Sequence, residues 1–276
     1  MSEMMRVLLS NNANLGRVIT VDGDGNADFT SIQAAMDAAR AKNPTPSQPY
    51  TIFIAGGNYS ESLVLYDYIN LIGLGEASSV KLLQSNQSVM RNGATCTIAN
   101  LRISGTFSPM INIANSFNGE MTFDRVTIQE ELAEINSLVC GGGKVILQNC
   151  DWRYGGALVM NGGNLLIQQS SLFHAHNMPL ALTQAAIEMH SGSIGAYYSR
   201  IENIANPSSG GAGVLFTTAA PLSAKFYYCL LRAASGYSMD STVTMSAVIA
   251  ACRMNADINT AKILGGYLDY AFHANI

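Results

Sequence analysis

A short pattern of apolar positions recurs down the middle of the chain. Each copy has two apolar residues separated by one residue, then two residues of any kind, then an apolar or small residue and an apolar residue separated by one. The second apolar position of each copy is Ile98, Phe123, Leu147, Ile167, Ala196, Phe226 or Ile249. These positions are 25, 24, 20, 29, 30 and 23 residues apart, which is a solenoid period. The pattern predicts two short strands that meet at the same two-residue corner in every turn.

Between these copies lies another apolar pair, which predicts a third short strand in each turn. The pairs are Ile111 with Ile113, Leu138 with Cys140, Leu158 with Met160, Ile187 with Met189, and Val214 with Phe216. Strands stacked ~4.8 Å apart, each beside the same strand of the next turn, form a parallel β-helix. An antiparallel sandwich would instead need hairpin turns between neighbouring strands. We therefore predict an all-β, single-stranded right-handed parallel β-helix, because parallel crossovers are right-handed.

The composition agrees with a stiff coil that buries a large core. Of 276 residues, 48% are hydrophobic and 12% are charged, whereas about 25% charged residues is usual. The low charge predicts a surface that a partner partly covers, and the net charge of −4 argues against binding to nucleic acid. The sequence has no apolar stretch of membrane-spanning length and no signal-peptide pattern in residues 1–17. We expect neither a membrane segment nor export by a signal peptide.

The five cysteines fall on positions that the pattern predicts to point inward. They are Cys96, Cys150, Cys229 and Cys252 on the corner strands and Cys140 on the third strand. This placement predicts buried free thiols that pack as small apolar side chains. Because the chain has no CxxC motif and no histidine-rich spacing, we predict no metal site and no cofactor.

The amino-terminal quarter of the chain resembles the opening of pectin methylesterases and related pectin-lyase-like β-helices. Residues 21–39, which contain Asp22-Gly23-Asp24-Gly25, carry the likeness, and residues 52–61 and 69–75 continue it. The resemblance implies a coil whose first turn is covered by a short helix. An apolar stripe fits a helix from Ser31 to Ala41, and Thr30 with Gln33 can form a capping box. We assign residues 1–50 to an N-terminal arm with the capping helix and residues 51–276 to the β-helix.

The catalytic motifs of these esterases are missing from the sequence. The family has an aspartate in a Gln-Asp-Thr run, another in Asp-Phe-Ile-Phe-Gly, and an arginine in Gly-Arg-Pro-Trp, and none of these runs occurs here. The nearest match, Gln148-Asn149-Cys150, lacks the acid. The resemblance therefore implies the fold without the activity.

An enzyme with a different site is the first alternative. Polysaccharide hydrolysis needs two carboxylates about 5 to 10 Å apart, and each predicted outward column contains one. Glu188 belongs to the third-strand column and Asp124 to the column that follows the repeated pattern. Asp151 with His174 and His176 is a further cluster worth testing.

Contact with a partner explains more of the outward residues. Val139, Val159 and Leu215 predict an apolar ribbon on the third-strand face, and such a surface is typical of protein interfaces. Four tyrosines offer contact area for an interface or for stacking on sugars, namely Tyr197, Tyr198, Tyr227 and Tyr228.

The sequence therefore favours a non-catalytic structural protein, a β-helix subunit of a phage-like particle that acts through protein contacts. The predicted partners are copies of the chain itself, for example in a trimer, other particle proteins and a surface glycan. The expected location is a virion or the cytoplasm of an infected host. A carbohydrate-active enzyme of the pectin esterase or lyase kind and a glycan-binding module are the two alternatives.

Overall fold

The computed structural model describes residues 17–84, 87–130, 136–153, 157–174, 185–203, 212–217, 222–233, 238–242, 245–254, 263–264, 267–268 and 271–272. In this part of the chain, short strands form three sheets, and every pairing between named strands is parallel. Between residues 50 and 241, the chain passes from sheet one to sheet two to sheet three in each turn and then returns to sheet one. This is the predicted right-handed parallel β-helix.

The strands are numbered along the chain and grouped here by sheet. Sheet one contains β1 Val18–Val21, β2 Tyr50–Ile54, β5 Ile69–Gly73, β8 Cys96–Ala99, β11 Glu120–Asp124, β14 Lys144–Gln148, β17 Asn164–Gln168, β20 Gly192–Tyr197, β23 Leu222–Tyr227, β26 Met245–Ala250, β28 Ile263–Leu264 and β29 Tyr267–Leu268. Sheet two contains β3 Gly57–Tyr59, β6 Val80–Gln84, β9 Arg102–Gly105, β12 Thr127–Glu130, β15 Asp151–Arg153, β18 Ser171–His174, β21 Arg200–Asn203, β24 Leu230–Ala233, β27 Arg253–Met254 and β30 Ala271–Phe272. Sheet three contains β4 Leu63–Val64, β7 Met90–Arg91, β10 Ile111–Ile113, β13 Leu138–Cys140, β16 Leu158–Met160, β19 Ala185–Met189, β22 Ala212–Phe216 and β25 Met239–Ser241.

The repeated pattern forms one inward stack, as predicted. Each of its second apolar residues pairs with the corresponding residue of the next turn, from Ile98 through Phe123 to Ile249. All seven are fully buried. The single tryptophan, Trp152, also points inward, and its ring meets the edge of Phe123 at a centroid distance of 6.3 Å.

A left-handed residue forms the bend between sheet one and sheet two in successive turns. We call this bend the first corner. Its residues have φ between 48° and 57°, and they are Asn100, Arg125, Asn149, Gln169, Tyr198, Tyr228 and Ala251. None of them is glycine, although the left-handed region disfavours residues that carry a Cβ.

The residue after each left-handed residue points into the core, and from Cys150 to Cys252 these residues hydrogen-bond to the backbone there. The Cys150 N–H donates to Ser170 Oγ at 3.0 Å, and the Ser170 N–H donates to Ser199 Oγ at 3.3 Å. The Cys229 N–H donates in the same way to Cys252 Sγ at 3.4 Å. Each of these hydroxyls and thiols also donates to the carbonyl two residues earlier. The small polar residues of this column therefore form a hydrogen-bond ladder inside the corner.

The predicted helix, α1 Ile32–Arg40, packs against β1, β2, β4 and β5. Its capping differs from the prediction, because Ser31 rather than Thr30 is the N-cap and accepts from the Ala34 N–H. The Glu61 carboxylate accepts the N–H groups of Ile32 at 2.9 Å and Gln33 at 3.0 Å, so a residue of the coil ties down the helix start.

The predicted arm also contributes a strand to the coil. β1 pairs in parallel with β2, so the coil has one strand before residue 51, where it was predicted to start. The division of the chain at residue 50 stays a prediction. Among the residues described, no helix combines the length and the apolar character that crossing a bilayer requires.

Candidate functional site

The predicted apolar ribbon is a true column of sheet three, but a charged residue interrupts it. Val139 pairs with Val159, Val159 with Glu188, and Glu188 with Leu215. Val159 is only 7% exposed, so other parts of the same chain already cover it. Val139 and Leu215 are half-buried. The sequence pattern predicted the register of this column but not the burial of Val159. The role of the column as an interface stays a prediction.

Glu188 has polar neighbours that the outward column alone does not reveal. Its Oε1 lies 3.1 Å from His190 Nε2, and the other ring nitrogen of His190, Nδ1, lies 3.1 Å from Thr217 Oγ1. Glu188 has a side-chain exposure of 15% and His190 one of 34%. The carboxylate, the imidazole and the hydroxyl therefore form a hydrogen-bonded series on the outer surface. His190 and Thr217 follow Glu188 and Leu215 by two residues, so they lie on the same face. Extending the outward column by two positions would have predicted them.

A second carboxylate belongs to the same column, and the sequence analysis missed it. Asp240 pairs with Leu215, two turns from Glu188, which corresponds to roughly 10 Å between the two backbones. This spacing approaches the upper limit for an acid and base pair in glycoside hydrolysis. Leu215 lies between the two acids, and Asp240 Oδ1 accepts the Ser241 N–H at 2.7 Å.

Asp124 is held in a structural network instead. Its carboxylate lies 3.0 Å from Arg125 and accepts from Asn149 Nδ2 at 3.2 Å. Both partners belong to the first corner. The neighbours of Asp124 thus occupy both carboxylate oxygens, which disfavours it as a catalytic acid.

The predicted cluster of Asp151, His174 and His176 lies partly outside the described residues and stays a prediction. Asp151 pairs with Ser171 and forms an ion pair with Arg153, whereas His174 lies three residues further along β18 and pairs with Asn203. His176 lies outside the described residues.

The four predicted tyrosines form a pair of stacks on two consecutive turns, and we call them the tyrosine corner. Tyr197 and Tyr227 stack at 5.3 Å with a 6° angle between their planes, and Tyr198 and Tyr228 stack at 5.0 Å and 1°. Tyr198 is 63% exposed and Tyr228 is 58% exposed. Phe107, at 38%, is the other exposed large hydrophobic residue in the described ranges. The tyrosine corner is therefore the largest exposed aromatic surface among them.

Unpaired polar side chains surround the tyrosine corner. On the turns before it, the same columns carry Gln148, Gln168 and Gln169, whose side-chain amides make no hydrogen bond within the described part of the chain. Lys225 and Arg253 are exposed and form no ion pair there either. Arg200, in contrast, lies 2.8 Å from the carboxylate of the buried Glu202.

The cysteines match the prediction of buried free thiols. Burial raises the pKa of Cys96 to about 12 and that of Cys150 to about 11, so both thiols stay protonated at neutral pH. No group of His, Cys, Asp and Glu side chains that could hold a metal ion occurs in the residues described.

The fold defines a parallel β-helix protein, and several solved structures resemble it. A pectin methylesterase from carrot matches with a TM-score of 0.46 and 12% identity over 93% of this chain and 88% of the carrot chain. No family model matches the sequence. No curated protein matches it either.

Proposed function

We propose that this protein is a non-catalytic β-helix that acts as a rigid structural part and binds its partners through outward side chains. The observation that carries the proposal is the tyrosine corner, because two stacked and exposed aromatic rings have no evident role in the core. Exposed aromatic surface on a soluble protein usually marks a contact site. The coil also holds these rings in place before binding, which lowers the entropic cost of a contact.

The choice of tyrosine at two left-handed positions of the first corner supports a role in binding. Tyr198 and Tyr228 have φ of 50° and 55°, a conformation that costs an ordinary residue roughly 1 kcal/mol or more relative to glycine. A corner selected for stability alone would favour asparagine or glycine, and Asn100 and Asn149 do occupy it in other turns. Arg125, Gln169 and Ala251 share the left-handed conformation, so the backbone belongs to the corner as a whole and the tyrosine side chains are what point to a contact.

The setting that we propose is an oligomeric particle, as the low charge of the sequence suggests, with copies of the chain and other particle proteins as partners. Its test is the mass of the purified protein in solution across a concentration series. We expect an oligomer whose mass falls when Val139→Lys places a charge on the half-buried part of the sheet-three column. A monomer at every concentration would contradict this setting. Val159→Lys is unsuitable for this test, because Val159 is already buried within one chain.

A hydrolase is the second candidate, and the aligned Glu188, His190 and Thr217 side chains favour it. In such an enzyme, His190 would take the Thr217 hydroxyl proton while Glu188 stabilises the imidazolium. The decisive measurement is the release of reducing ends or methanol from polysaccharides. We expect none from the wild-type protein. Release that disappears in both Glu188→Gln and Thr217→Val would overturn the non-catalytic proposal.

A further inference from the structure

We propose that the tyrosine corner and the side chains around it bind an extended saccharide chain. This inference rests on the proposed non-catalytic binding function and names the ligand class and the site. The site lies on the first corner, on the sheet-one and sheet-two side of the coil. Glu188, His190 and Thr217 belong to sheet three and its continuation, so the two surfaces can be tested separately.

Within the described part of the chain, the ring faces on one side of the tyrosine corner have only methyl side chains next to them. Within each pair, the rings cover one another, so only the outer faces remain available to a ligand. Towards the next turn, Tyr227 pairs with Ala250, and the following corner residue is the exposed Ala251. Methyl side chains cannot cover a tyrosine ring. The surface therefore drops by about the width of one ring between the tyrosines and the alanines of the next turn, and we call this drop the step. The C–H face of a pyranose ring fits such an aromatic face.

The other side of the tyrosine corner offers a series of amides. Gln168 and Gln169 belong to the preceding turn, and Gln148 to the turn before it. Each side-chain amide has both donors and an acceptor, the set that neighbouring sugar hydroxyls require. Turns repeat every ~4.8 Å, which is close to the length of one pyranose residue in an extended chain. A saccharide along the corner would therefore meet an amide or a ring at each residue.

Two cations complete the site. Lys225 precedes the rings on sheet one, and Arg253 follows Ala251 on sheet two, so they lie on opposite sides of the step. Both are exposed and without an ion pair in the described ranges, which leaves their N–H groups available to ligand oxygens. A protein partner would instead favour an apolar centre, but Lys225, Arg253 and the glutamines beside the rings are polar.

The test is calorimetric titration of the full chain with cellohexaose, chitohexaose and a hyaluronan hexasaccharide. We expect at least one of these probes to bind the wild-type protein, and Tyr228→Asn to weaken that binding at least tenfold. Tyr68→Asn is the matched control, because Tyr68 is also left-handed, with φ of 61°, but lies far from the corner in the first turns. The control is expected to bind like the wild type.

A second variant keeps all four tyrosines and tests whether the exposed face of Tyr227 is required for binding. Ala250→Leu adds a side chain next to the Tyr227 face at an outward position, and we expect it to weaken binding about tenfold without changing the unfolding midpoint. If no probe binds, or if Tyr228→Asn and Ala250→Leu bind like the wild type, the saccharide proposal is wrong. A change in solution mass in Tyr228→Asn without loss of saccharide binding would make the corner a protein contact and also overturn it. Either result leaves the non-catalytic function standing, which only cleavage dependent on Glu188 and Thr217 would overturn.

Discussion

The inner and outer side chains of the first corner follow the same register, but only the inner ones stabilise the backbone. On the inside, Ser199 and Cys229 supply hydrogen bonds that the chain needs, so the fold itself explains them. On the outside, Tyr198 and Tyr228 occupy left-handed positions that disfavour them. The fold therefore explains the inner residues but not the tyrosines next to them in the sequence. Stability explains Ser199 and Cys229, whereas it does not explain why Tyr198 and Tyr228 occupy the corner.

The largest expected effect tests the inner side of sheet one. Replacing Phe226 by Ala is expected to destabilise the protein by roughly 3 to 5 kcal/mol, because the side chain is fully buried in a stack that cannot close around the cavity. The neighbouring Lys225 is exposed, and Lys225→Ala serves as the control with a change of less than about 0.5 kcal/mol. Denaturant midpoints measure both. Equal midpoints would reverse the inward and outward assignment.

The ladder inside the corner gives the next largest effect. We expect Ser170→Ala to cost about 1 to 3 kcal/mol, because the buried N–H of Cys150 loses its acceptor. Ser170→Cys is expected to cost less, since Cys occupies the same position in other turns and its sulfur accepts there. Chemical denaturation of the three proteins measures the difference. Equal stability of the Ala and Cys variants would show that the ladder contributes nothing.

The outer side of the corner is expected to contribute little to stability. In Tyr228→Asn, relief of the left-handed strain, about 1 kcal/mol, offsets the lost stacking on Tyr198, also about 1 kcal/mol. We therefore expect a free energy of unfolding within about 0.5 kcal/mol of the wild type. A loss well above this range would make the tyrosine pair part of the fold and remove the contrast between the two sides.

The smallest expected effect is a pH dependence that arises inside the corner. Burial raises the pKa of Cys150 from 9.0 to about 11, so in this pH window the unfolded chain loses the proton and the folded chain keeps it. The contribution of Cys150 is therefore fully present below pH 9.0 and falls as the pH rises towards about 11. The slope of unfolding free energy against pH is expected to be shallower in Cys150→Ser. An identical slope in both proteins would contradict this origin.

The sequence could predict whatever repeats with the turns. Phe226 and Cys150 were placed inward from the pattern alone, because a period of two within strands fixes the direction of each side chain. The start of the capping helix was predicted to within one residue. Its cap was wrong because the carboxylate that binds the helix N–H groups, Glu61, lies about 30 residues away in the chain.

Features that do not repeat escaped the sequence analysis. The cover over Val159 comes from contacts that no period in the sequence encodes. His190 and Thr217 approach Glu188 from the positions just after two strands, where residue types vary from turn to turn. The stacking of Tyr198 on Tyr228 was foreseeable from the register, but their left-handed backbone was not.

The arrangement of the three sheets also determines how the coil would respond to force. The inter-strand hydrogen bonds run along the axis from one turn to the next, and between residues 57 and 241 the turns are joined by strands of all three sheets. A load spread across both ends of the coil would strain the three sets of bonds together. A pull on one end of the chain would instead peel away a single strand at a time. The coil would therefore resist a load that all three sheets share but unfold strand by strand when one chain end is pulled.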